Sequence, residues 1–147
     1  MTVPAQTSNQ SPAGTLAQQV ITAAAIWDIF FVAPFALPNT ASDFLAIMDG
    51  IGALLGLYGS IPAMQPGHML FVNMAGMSGV IWTGYRLFAY NDGFVLAEFW
   101  VRLLIGCVLA GYGLQQSVSG IVGLFAVTEF CWAGAAAFVL WKMHNSR

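Results

Sequence analysis

Charge is scarce in this chain. Of 147 residues, four are Lys or Arg and six are Asp or Glu, giving a net charge of −2 and 7% charged residues in all. Ordinary soluble domains carry about 25%. A water-soluble fold is therefore excluded, because it could not cover its own surface. Four basic residues also leave no electrostatic footprint for nucleic acid. Cysteine is nearly absent: Cys107 and Cys131 stand inside apolar runs, with no CxxC and no zinc spacing. Their expected state is two buried thiols acting as small apolar side chains, although facing helices at matching depth would allow a disulfide. There is no GxGxxG, Walker loop, GxSxG or HExxH. With no nucleophile–base pair or metal set in view, catalysis by the chain ranks last among its functions. Spans are not interrupted in a repeated pattern, so an inverted-repeat transporter is not indicated.

What is present is hydrophobic, at 59% of residues. Residues 1–14 are Thr, Ser, Gln, Pro and Ala without a basic residue, which predicts a disordered polar tail and not the charged start of a signal peptide. Four apolar runs of about 20 residues follow, at 15–37, 68–90, 94–115 and 121–141, each long enough to cross a bilayer. They predict an all-α integral membrane four-helix bundle, one domain over 15–143, with a C-terminal tail at 144–147. Pro38-Asn39 stops the first run. Between the first two runs, 42–58 shows helical spacing in Phe44, Leu45, Met48, Ile51, Leu55 and Tyr58, with Ser42 as N-cap. It is short and broken by Asp49, Gly50 and Gly52, which predicts an interfacial or re-entrant helix.

Small residues give the expected helix contacts: Gly106, Ala110 and Gly113 on one face, and the pairs Ala75/Gly79 and Ala133/Ala137. Basic residues give the orientation. Arg86, Lys142 and Arg147 gather on the side of the termini and the Asn91-Asp92-Gly93 turn, while the opposite side holds Asp43 and Asp49. The positive-inside rule then puts both termini in the cytoplasm of a bacterial-type inner membrane.

The residues that stand out are the ionisable ones inside these runs. Such groups are expensive in a membrane and usually face the protein interior. Glu98 and Arg102 are four apart, acid first, the favourable order on a helix. At about 1.5 Å per residue, Asp28 and Glu129 lie roughly 18 and 20 Å from the cytoplasmic ends of their spans, Arg102 roughly 12 Å and Glu98 roughly 6 Å, with Arg86 nearer the surface. Three carboxylates and two guanidiniums thus form the expected buried polar network or ligand pocket: Asp28, Glu98, Arg102, Glu129 and Arg86. If Glu98 takes one Arg, at least one of Asp28 and Glu129 is expected to lack a cationic partner.

No cofactor is indicated. His68 and His144 fall on opposite sides and cannot share one haem. Thioether and imidazole suit Cu(I), and Met48, Met64, His68, Met69 and Met74 cluster loosely; of these, His68, Met64 and Met69 are the weak metal candidates. No repeated MxxM pattern supports them. Haem and copper are both disfavoured.

The stretch from Trp27 to Trp141 resembles the DoxX-like superfamily of small bacterial membrane proteins. The likeness rests on FLAIMDGIGALLGLYG after the first span, Arg102 early in the third and Glu129 in the fourth. It implies four membrane helices with a longer excursion after the first, working near redox chemistry, for instance beside a quinone-linked oxidoreductase. It carries over no catalytic residue. The leading expectation is an accessory or anchoring component in the lipid bilayer, with a protein partner or as a homo-oligomer. The alternative is a stand-alone binder or carrier of a small lipophilic molecule or proton through the buried polar pocket.

Overall fold

The computed structural model describes residues 12–89, 91, 93–115 and 118–146. They fold into helices α1 (Pro12–Val32), α2 (Pro38–Leu54), α3 (Pro66–Phe88), α4 (Gly93–Leu114) and α5 (Ile121–Asn145), with a 3-10 turn at Ala33–Ala36 and no strand among the described residues. Three helices are long and apolar enough to cross a membrane: α1 with its 3-10 extension (Gly14–Ala36), α4 and α5. Helix α3 has 23 residues but is not among them. His68, Asn73, Thr83 and Arg86 dilute its hydropathy. Large apolar side chains such as Phe30, Phe71, Ile81, Leu104 and Phe88 cover the outside. That surface suits lipid and not water.

Prolines set the breaks between helices. Pro34 has no N–H and its ring opposes the preceding turn, so α1 ends at Val32 and the chain tightens into the 3-10 turn. Leu37 is extended (φ −116°, ψ 128°), as a residue before proline prefers. Pro38 then opens α2, since proline is tolerated at the first helical position. The Thr40 hydroxyl donates to the Pro34 carbonyl at 2.6 Å, satisfying a group that the break leaves open. Pro66 opens α3 in the same way, after an extended Gln65.

Several sequence expectations are corrected here. Pro12–Gly14 belong to α1, not to a tail, while residues 1–11 lie outside the described part. Pro38 starts a helix as well as ending one, so α2 is capped at Leu37 and not at Ser42, and it stops at Leu54, not at Tyr58. His144 is still helical. Tyr90 at the end of the expected second run, Asp92 of the expected turn, and Gln116 and Ser117 between the third and fourth runs lie outside the described residues. Cys107 and Cys131 are free and exposed on the apolar exterior, not buried. Ala75 is exposed as well, and the close approach on α3 is made instead by Gly76 and Gly79. A methyl group at Gly76 would sit 2.4 Å from the Phe35 carbonyl carbon, and one at Gly79 2.6 Å from Val32 Cγ1. These glycines let α3 lie directly on the end of α1.

The helices pack in the order α3, α1, α5, α4, with α4 on α5 the most extensive pairing. Ala17, Ile21, Phe94, Val95, Ala136 and Val139 form a tight apolar plug where the start of α1, the start of α4 and the end of α5 meet. At the opposite end α2 lies across the 3-10 turn and reaches α3 and α5. The segment after α2 is tied down there: Ile61 N–H donates to Asp49 Oδ1 at 2.7 Å, Tyr58 O–H donates to the Gly113 carbonyl, and Gly120 N–H donates to the Tyr58 carbonyl at 2.8 Å. Gly59 (φ 72°) makes the turn, in a conformation other residues rarely take.

Helices α3 and α4 are the exception. They meet near their shared turn, where Trp82 and Tyr85 each contact Phe94 edge-on with ring centroids 5.9 and 5.4 Å apart. Along the rest of their length, among the described residues, their backbones do not pack.

Candidate functional site

The five ionisable residues picked from the sequence converge between the apolar plug and α2. Arg102 Nε donates to Glu98 Oε1 at 2.7 Å, the contact that the four-residue spacing predicts. Arg102 Nη1 reaches both oxygens of Glu129 at 3.0 Å, and its Nη2 donates to Asp28 Oδ2. Arg86 Nη1 donates to Glu98 Oε2 at 2.6 Å, and its Nη2 to the same Asp28 oxygen and to Thr83 Oγ1. The network ties α1, α3, α4 and α5 together.

Two expectations change. Arg86 is not near the surface; it is 2% exposed, among the most buried large side chains. The reason is the direction of the Cα–Cβ bond, which leans toward a helix's N-terminus. Arg86 stands near the end of α3, so its side chain leans inward. Arg102, early in α4, leans the other way, and the two guanidiniums meet at the level of Asp28 and Glu98. The second correction follows: none of the three carboxylates of this network is left without a cation. Asp28 and Glu98 each bridge both guanidiniums, and Glu129 takes Arg102. Counting one cation per acid misses this, because a guanidinium presents five donors in a fork. Arg86 Nε is the one buried side-chain polar atom without a hydrogen-bond partner among the described residues.

Above the network lies a cavity of about 430 Å³. Its floor is the ionic network and its walls are Trp27, Phe31 and Phe125, with α2 supplying Phe44, Leu45 and Met48 as a roof. The rings interlock, Trp27 on Phe31 at 4.7 Å and Phe31 edge-on to Phe125 at 5.3 Å. Asp28 and Glu129 are the network members that stay partly open, at 18% and 14% of their side chains, against 1% for Arg86 and 5% for Arg102. Periodicity marks the acids, but it carries no signal for the cavity. The roof residues come from a segment whose tertiary position depends on the Pro34–Pro38 elbow.

The weak metal candidates are not brought into one site. Met64 and Met69 line a second cavity of about 420 Å³ with Ser42, Asp49 and Ile61, and His68 is not part of it. No group of three or more His, Cys, Asp or Glu is placed to hold a metal ion among the described residues. His144, the other histidine considered for haem, lies in the last turn of α5. Compared with protein-family models, curated proteins and solved structures, the chain matches none.

Proposed function

We propose that this chain is a membrane-embedded binding protein for a small lipophilic molecule with a polar head. One observation carries the reading: a single chain builds an aromatic-walled cavity of about 430 Å³ over an ionic floor. Ligand sites of roughly 300–1,000 Å³ typically combine apolar walls with a few convergent polar groups. A network needed only to hold helices together would be expected to sit in close packing, with no cavity above it. The accessory role, placed first from the sequence, drops to second because the cavity needs no second polypeptide to complete it.

In this reading α3 is the fourth crossing, since it runs antiparallel along α1 and delivers Arg86 to the same network. The location is the inner membrane of a bacterium with both termini in the cytoplasm. With Arg86 turned inward, that orientation rests on Lys142 and Arg147 against Asp43 and Asp49. The DoxX-like resemblance adds a quinone to the molecules worth testing, and a partner protein to the alternatives.

Native mass spectrometry on the chain extracted in mild detergent from its own membrane tests the proposal. The expected result is a lone chain or homo-oligomer retaining a discrete small-molecule mass. A stoichiometric second polypeptide with no retained small molecule would refute it in favour of the accessory role.

A further inference from the structure

The cavity has an opening and a charge, and together they select an occupant; the inference rests on the binding function proposed above. The opening is the seam where α3 and α4 fail to pack. Four cavity-lining residues are more than a third exposed: Trp82 of α3 and Val101 and Ile105 of α4, at 37%, 38% and 44%, form the lips of this seam, and Trp27, at 37%, stands on α1. They are apolar and face the exterior that suits lipid. A molecule dissolved in the bilayer therefore reaches the cavity sideways, without passing through water.

The charge is that of the floor. Three carboxyl groups share two guanidiniums, so with all three ionised the floor carries an excess of one negative charge in a low-dielectric setting. Such an excess is costly unless something balances it. The side chains that remain open are the acids Asp28 and Glu129, while the guanidiniums are sealed and their Nη groups already donate to carboxylates. Anionic heads would meet carboxylate first. For a carbonyl head the donors within reach are the wall indoles of Trp27 and Trp82 and not the floor, whose guanidiniums lie in side chains only 1% and 5% exposed. A cation is complemented twice, by the open carboxylates and by the aromatic rings of Trp27, Phe31 and Phe125 that line the same cavity.

We infer that the occupant is a lipophilic monocation, an amphiphilic amine or onium, that enters from the bilayer between α3 and α4 and rests its charged head on Asp28 and Glu129. A proton on one carboxylate would balance the same charge, and then the floor would not select a cation.

The test uses the whole chain in dodecyl maltoside and in phosphatidylethanolamine nanodiscs. Binding is read by tryptophan fluorescence and calorimetry with three probes: tetraphenylphosphonium, tetraphenylborate of the same shape and opposite charge, and neutral triphenylphosphine oxide. The expected result is saturable binding of the phosphonium, about tenfold or more tighter than of the other two. Ile105→Trp, which plugs the seam, should weaken it by a similar factor. Leu104→Trp is the control, because Leu104 is exposed but does not line the cavity. Val101→Trp serves as plug if Ile105→Trp melts below the wild type. Equal binding of all three probes, weakened by the plug, would overturn the cation and leave the binding function standing. Phosphonium binding indifferent to both plugs would overturn the seam. Binding present in maltoside but abolished in the nanodiscs would give the site to the lipid ammonium head and overturn a free amphiphile. Binding of none of the probes in either medium would overturn this inference and the proposed function together.

Discussion

Removing Arg102 should damage this protein more than removing any other cation, and the size of the effect follows from its contacts. Its guanidinium holds Glu98, Glu129 and Asp28 at once. Polar contacts between membrane helices average about 0.6 kcal/mol, so three of them make about 2 kcal/mol. Arg102→Leu also leaves buried carboxylates uncompensated, which in other buried pairs costs about 3–5 kcal/mol. The larger figure already contains the lost contacts, so at about 2–4 °C per kcal/mol for a chain of this size it alone lowers the melting temperature by roughly 6–20 °C. Lys142→Leu is the reference: Lys142 is exposed on the last turn of α5, near the Phe138 ring, and its loss should stay within about 0.5 kcal/mol. The cause can be separated from lost packing. Arg102→Leu leaves three carboxylates against one guanidinium, and adding Glu129→Gln restores the original excess of one. The double variant should therefore melt above the single one, with a coupling of about 1–3 kcal/mol. Melting is followed by tryptophan fluorescence in maltoside, with expression level as a second readout. Equal melting of Arg102→Leu and Lys142→Leu would remove the buried network as a stabilising element. A double variant worse than both singles would show that charge balance is not what the network protects.

Other outcomes can be checked alongside. Gly76→Ala should cost about 1–3 kcal/mol by overpacking against the Phe35 backbone, whereas Gly84→Ala, with nothing within 4 Å, should be neutral or stabilising by up to about 1 kcal/mol in the same melts. Tyr58→Phe removes the hydrogen bond to the Gly113 carbonyl and should cost about 0.5–1.5 kcal/mol, with faster amide exchange at residues 55–61; unchanged exchange there would mean the loop is held by other contacts. Both cysteines are free, so a maleimide applied to denatured, unreduced protein should add two labels by mass, and a result of none would indicate a disulfide.

Much of the site is legible in the sequence because membrane segments make ionisable residues conspicuous. The Glu98–Arg102 spacing needs only helix geometry, and comparable depths for Asp28 and Glu129 need only the rise per residue. Arg86 is less legible. Its position near a span's end suggests water, and only the lean of the side chain sends it inward. The sharing of Asp28 and Glu98 between two guanidiniums is invisible for a different reason, since it depends on α1, α3 and α4 arriving at one level. In the fold, Pro34 and Pro38 announce a break, but the sequence does not say that the break is an elbow placing α2 over the cavity. Cys107, Cys131 and Ala75 show a general limit. A small apolar residue in a bilayer fits the lipid face as well as the core, so composition alone cannot assign its side.

The distribution of the five charges also bears on how the chain is made. Helix α4 carries its own counter-charge in Glu98 and Arg102, whereas α1 and α5 each bring a lone acid and α3 a lone cation. An unpaired Asp at the centre of a helix costs roughly 2.5–3.5 kcal/mol to insert. During synthesis α1 therefore has reason to stay with the insertion machinery until Arg86 emerges, 58 residues after Asp28. A nascent chain stalled before Pro66 should crosslink from α1 to the translocon, and one stalled beyond α4 should not. Crosslinking that is the same at both lengths would mean that α1 is released with its acid alone.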